Sequence, residues 1–123
     1  METNEITGQI VDAAIKVHSV LGPGLLESAY RDCPLFELHR RGIKARKEVA
    51  MPVNYEGILI DVGYKLDLFI EEDVIVECKA VEEIHPIHKA QLLTYLKLGN
   101  KKIGLLINFN VKLLKDGITR LAN

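Results

Sequence analysis

Asp67, Glu77 and Lys79 are the residues whose types and spacing could do chemistry together. They lie in two β-rich runs, Lys65-Leu66-Asp67-Leu68-Phe69-Ile70 and Val74-Ile75-Val76-Glu77-Cys78-Lys79, joined by Glu71-Glu72-Asp73. With that joint as a three-residue loop, Ile70 pairs with Val74 and antiparallel partners have numbers summing to 144. Asp67 then faces Glu77, with Cβ atoms about 4.5–5.5 Å apart. Lys79, two residues beyond Glu77, projects from the same face. Leu66, Leu68, Ile70, Val74, Val76 and Cys78 fall on the other and make a continuous apolar surface. Facing carboxylates repel unless a cation, a lysine partner or a shared proton relieves them. Two hard-oxygen ligands at this spacing suit Mg²⁺ or Mn²⁺, with water completing the shell. The plain alternative is a solvent-facing hairpin in which Lys79 pairs with one acid.

The elements that must position these residues follow from periodicity. Ile6, Ile10, Ala13, Ala14, Val17 and Leu21 recur at helical spacing, and Gly22-Pro23-Gly24 breaks that helix. A second helix is predicted from about Leu25 to Arg40, ending at Gly42. Pro34 lies inside it and removes the bond to the Tyr30 carbonyl, which predicts a kink or break near Asp32. Glu48 to Tyr55 reads as a strand and Glu56-Gly57 as a tight turn. Ile58 to Ile70 reads as a long second strand bulged at Gly63. Val74 to Ala80 is a third. His85-Pro86 opens a helix from about Ile87 to Leu98, with Gln91 and Tyr95 on one side of it. Ile103 to Phe109 is an apolar strand of buried type, and Leu113 to Ala122 suits a short edge strand. The fold class is therefore α/β, a central mixed β-sheet flanked by helices in the order α-α-β-β-β-α-β.

With 123 residues, 48% of them apolar and 27% charged, the chain has the size of one domain, 1–123, with a core of its own. That composition excludes a disordered tail and a scaffold dependent on disulfides. Sixteen basic against seventeen acidic residues leave a net charge of −1, so no global positive field draws nucleic acid and any anion-binding surface must be local. Cys33 and Cys78 read as buried free thiols in a reducing cytoplasm. The acidic N-terminus does not resemble a signal peptide, and no apolar run approaches the ~20 residues that span a bilayer. The expected location is cytoplasmic, with no membrane contact.

Gly24-Leu25-Leu26-Glu27-Ser28-Ala29-Tyr30 fits the pattern that names the GxxExxY protein family. Asp67, nine residues, then Glu77-Cys78-Lys79, framed by an αββ lead-in and an αβ unit, resembles the PD-(D/E)XK nuclease superfamily in which that family is placed. Gln91-Leu92-Leu93-Thr94-Tyr95-Leu96-Lys97 and Gly104-Leu105-Leu106-Ile107-Asn108-Phe109 resemble its later segments. The resemblance implies a restriction-endonuclease-like core and a metal-dependent nuclease that hydrolyses phosphodiester bonds of nucleic acid, DNA ahead of RNA. It implies that Asp67 and Glu77 hold Mg²⁺ or Mn²⁺, helped by the Cys78 carbonyl and by Glu27. Lys79 would activate water and stabilise charge developing on phosphorus. Gly24, Glu27 and Tyr30 would share a helix face, with Gly24 allowing close backbone approach, and Tyr30, Gln91 and Tyr95 would border the site. The alternative is a nuclease-fold module of little or no turnover that binds nucleic acid or a protein partner. Whether the chain forms a homodimer stays open.

Other constellations are weaker. His85 and His88 have a zinc-like spacing, but no second ligand pair accompanies them; His85 reads as the residue that opens its helix, and His88 as an accessory near the site's rim. His18 and His39 read as surface or core-edge residues, and Ser28 has no legible His/Asp partners. Arg40, Arg41, Lys44, Arg46 and Lys47 are the only dense basic run. They suit a solvated helix end or, with Lys97, Lys101 and Lys102, a phosphate backbone beside the cleft.

Overall fold

The structure is a computed structural model that describes residues 1–123. Two helices lead the chain, α1 (Thr3–Leu21) and α2 (Glu27–Arg40), followed by β1 (Ala45–Ala50), β2 (Val53–Tyr55), β3 (Ile58–Ile60), β4 (Lys65–Ile70) and β5 (Val74–Lys79). Helix α3 (Pro86–Leu98) then crosses to β6 (Ile103–Asn108), and a 3₁₀ turn, Leu114–Gly117, leads to β7 (Ile118–Ala122). The main sheet has the order β1-β4-β5-β6-β7, with β5 and β6 parallel and the other neighbours antiparallel.

Helices cover both faces. Against α1 and α2 lie Leu68, Ile70, Val74, Val76 and Cys78 with Ile6, Ile10, Ala13, Tyr30 and Leu38. Against α3 lie Leu66, Phe69, Ile75 and Leu106 with Leu92, Tyr95 and Leu96. Strand β5 is consequently buried on both sides from Val74 to Cys78. The hairpin is no solvent-facing one.

Four expectations are corrected. Helix α2 runs unbroken through Pro34. Tyr30, Pro34 and Leu38 are spaced one turn apart and all buried. Burying side chains such as Tyr30 and Leu38 is worth about 1.5–3 kcal/mol each, which offsets the roughly 3 kcal/mol cost of an interior proline. Cys33 is exposed on this helix, and only Cys78 is buried. The long strand from Ile58 splits, because Gly63 at φ +85° turns the chain out of extended geometry, leaving β2 and β3 as a separate two-stranded sheet. Finally, Leu66 does not join Leu68 and Ile70; it packs with the opposite face. The flanking β1–β4 pairs are Lys47↔Leu68 and Val49↔Leu66, so Glu48 stands across from Asp67. Glu48 is held at φ +53°, a conformation that costs about 1–3 kcal/mol for a non-glycine residue. At this point the alternation of faces changes phase.

Candidate active site

The register that brings the two acids together is present. Leu68↔Val76, Phe69↔Ile75 and Ile70↔Val74 all sum to 144, and the turn comprises Glu71-Glu72-Asp73. Glu71 and Glu72 both have positive φ. The ladder ends at Leu68↔Val76. One residue further, Asp67 turns its side chain to the neighbouring strand, where its Oδ2 accepts the Cys78 N–H at 2.8 Å.

Glu77 points to the α3 side of β5, among Ile75, Leu106 and Tyr95. It is 5% exposed, and its Oε1 is buried without a hydrogen-bond partner. Burial first, then the adjoining Asp67 carboxylate, push its carboxyl up to about 9, against the pull of the Lys79 ammonium. At neutral pH it holds a proton, so the third means of relief, protonation, operates in the free protein. Tyr95 is buried beside it, and burial together with the charge of Glu77 raises its phenol. Lys79, half-buried, makes no hydrogen bond or ion pair in which its ammonium is committed elsewhere.

Glu27 reaches the same end of β5 from the first turn of α2. Its Oε2 accepts the Ala80 N–H at 3.3 Å, immediately after Lys79. Asp67, Glu77 and Glu27 all act on the Cys78 thiol, yet no three His, Cys, Asp or Glu side chains group closely enough to hold an ion. The Cys78 side chain is turned into the apolar core. Burial raises its thiol well above the usual range, leaving only its carbonyl as a donor.

Tyr30 is not at the border. It is fully buried, stacked on Phe109 at 4.6 Å between ring centroids. Its hydroxyl donates to the Gly22 carbonyl and accepts the Leu25 N–H, clasping the turn that launches α2 and therefore Glu27. Gly24 lies in that turn, before the helix, at φ +99° with open space where a Cβ would be. Left-handed backbone, rather than close approach, is what it supplies. Gln91 is exposed on α3 without a hydrogen bond.

Arg31 is a neighbour that sequence reading missed. One turn after Glu27, it bonds Asp32 and Glu48, both at 2.9 Å, and its charge acts on Asp67. The i, i+4 spacing from Glu27 was its only signal. The basic run, by contrast, is largely spent on internal pairs: Arg40 with Glu37, Arg41 with Asp12, Arg46 with Glu72 and Lys47 with Asp32. His85 opens α3, its N–H bonded to His88 Nδ1 at 3.1 Å. The two histidines border a recess of about 410 Å³ with Val81, Glu82 and Glu83, just past the end of β5. The largest recess, about 520 Å³ between the end of α1 and Lys112–Lys115, contains none of the acids.

A mixed sheet covered by helices on both faces, with paired acids and a lysine where a β-hairpin meets a βαβ crossover, defines a nuclease-like α/β fold. The sequence profile of the PD-(D/E)XK nuclease superfamily matches residues 4–121, and the chain belongs to that superfamily. No curated protein and no solved structure matches it at a significant level. No helix is long and apolar enough to cross a membrane.

Proposed function

We infer that the chain is a metal-dependent nuclease that hydrolyses phosphodiester bonds in nucleic acid, DNA ahead of RNA. The observation that carries this reading is the buried Glu77 oxygen with no partner, beside Asp67 and two residues from an uncommitted lysine. A buried carboxyl oxygen left without a hydrogen-bond partner costs stability, and a purely structural site gains nothing from it. The donor set fits a hard divalent cation: two carboxylates and the Cys78 carbonyl, all oxygen. Asp67 and Glu77 would hold Mg²⁺ or Mn²⁺, with Glu27 reaching it through water. Such an ion, when bound, polarises phosphate and lowers the pKa of water.

The chain's own residues do the rest. To ligate such an ion Glu77 would give up its proton, so binding would release a proton and tighten as pH rises. Cys78 N–H fixes one oxygen of Asp67 and leaves the other for ligation. Lys79 orients the attacking water and counters charge developing on phosphorus. Tyr95 closes the apolar side of Glu77, and Gln91, exposed one turn away on α3, borders the strand that would be cut.

Single-stranded, duplex and branched DNA and RNA, incubated with Mg²⁺ or Mn²⁺, test this directly. Cleavage of at least one substrate that is lost in Asp67→Ala is the expected result; an intact panel overturns it. The second reading, a binding module of little turnover, draws on the internal pairing of the basic run and the absence of a third converging acid. Binding without cleavage, unchanged in Asp67→Ala, would favour it.

A further inference from the structure

The segment between β1 and β4 is out of character with the rest of the sheet. Strands β2 and β3 pair only with each other, yet their side chains are those of a core. Tyr55, Ile58, Leu59, Ile60, Val62 and Tyr64 are all 43–68% exposed. Allowing about 200 Å² for a fully exposed residue of this size, the six offer on the order of 700 Å² of mostly apolar surface around the hairpin, with Tyr55, Ile58 and Ile60 on one face and Leu59 on the other. The largest apolar patch on an ordinary monomer is about 300–600 Å². A two-stranded hairpin is also marginally stable by itself in water, so this one requires a cover.

We propose that the β2–β3 hairpin is the surface through which two copies of this chain associate. The area is what one partner contributes to a standard stable interface, about 800 Å². Charge excludes a phosphate backbone as the occupant, since Met51 to Tyr64 contains two acids, Glu56 and Asp61, and no lysine or arginine. The same segment also carries its own complement. Between the hairpin and the main sheet lies a recess of about 270 Å³ lined by Met51, Leu59, Leu66, Phe69 and Leu98, with Lys101 its one cation. A two-fold axis lets the tip of each copy meet the recess of the other, the self-matching contact that closes a dimer. Edge pairing of the two hairpins would add backbone hydrogen bonds to groups now facing solvent. Tyr64, at the end of this segment, lies 6.0 Å from the Tyr95 ring, so the interface would be continuous with the wall of Glu77. The proposal does not depend on catalysis, because oligomeric state is read without a cleavage assay.

Sedimentation equilibrium of the full chain across the micromolar range tests it. The wild type should run at twice 13.8 kDa, and the double substitution Ile58→Lys with Leu59→Lys should halve that mass while circular dichroism stays unchanged. Phe36→Ser, on the exposed face of α2, should leave the dimer intact. A wild type that stays monomeric overturns the proposal, as does a charged hairpin that still dimerises, or a Phe36→Ser variant that dissociates. If the doubly charged variant fails to fold, hydrogen exchange of the wild type decides. Amides of β2 and β3 should be protected at high protein concentration and lose that protection on dilution; exchange independent of concentration overturns it.

Discussion

Two glutamates are buried in this molecule, and they are treated in opposite ways. Glu37, in the seam between α1 and α2, is 7% exposed and surrounded by cations. Lys16 bonds it at 2.9 Å, Arg40 at 3.2 Å, and Arg41 lies 3.8 Å away. The Lys16 hydrogen bond, and then Arg40, hold its carboxyl below the usual range in spite of desolvation. Glu77 is as little exposed but its carboxyl lies deeper; it faces another acid, has an orphaned oxygen and is pushed up to about 9, burial being the first cause. Exposure alone does not distinguish them; the depth of the carboxyl and the cations around it do. The seam is neutralised by cations, and the hairpin by a proton on Glu77.

The strongest way to sharpen that contrast is through Lys79. On the nuclease reading, Lys79→Ala should lower metal-supported cleavage by about 10²–10³-fold, as for loss of a single transition-state donor. Its unfolding free energy should move by no more than about 0.5 kcal/mol, as for other surface-like positions. A comparable loss of stability in urea melts would make Lys79 structural, like Lys16.

Next in size is Glu77→Gln, which keeps the shape and removes the titration. Wild-type Glu77 keeps a proton in the folded state up to about pH 9, whereas the unfolded chain releases it near the ordinary carboxylate value. Between those limits the folded state binds more protons, so stability falls as pH rises, by up to about 1.4 kcal/mol per unit. Urea melts from pH 5 to 9 should show that slope in the wild type and not in the variant. Mg²⁺ or Mn²⁺ at 100 times its dissociation constant should raise wild-type stability by ~2.7 kcal/mol and leave Glu77→Gln unmoved. Equal responses to metal would remove the acid pair from consideration as its site.

Glu37 should show the reverse sign. Its lowered carboxyl contributes stability above the unfolded value that is lost as pH falls through the folded one. Glu37→Gln should therefore flatten the acid side of the stability profile and leave the alkaline side as it is. Lys47→Ala should do least. Its exposed pair with Asp32 is worth about 0–1 kcal/mol, and filter-binding affinity for DNA should hardly change.

The sequence made the hairpin legible because one assumption, a three-residue turn, fixes every pair by simple addition. What it hid depended on the third dimension. Val74 to Cys78 looks like an alternating strand whichever faces are covered, so the burial of Glu77 emerges only once α3 packs on that side. The change of phase at Leu66 falls beside the left-handed backbone of Glu48, on a different strand. Pro34 was judged by its local cost, whereas Tyr30 and Leu38 decide the outcome from one turn away on either side. Tyr30 shows the same limit at the site itself: its spacing from Glu27 is visible in the motif, but its stack on Phe109 and its hold on Gly22 join residues far apart in the chain.

The proton on Glu77 also alters the molecule as a whole. The formal charge of −1 counts that residue as ionised; with it neutral, the formal charges of the folded chain balance. Native protein should therefore focus at a more alkaline position than the same chain in urea. Near neutrality it also lacks the mutual repulsion that keeps small proteins dispersed, so its solubility should be lowest under ordinary buffer conditions and recover on either side.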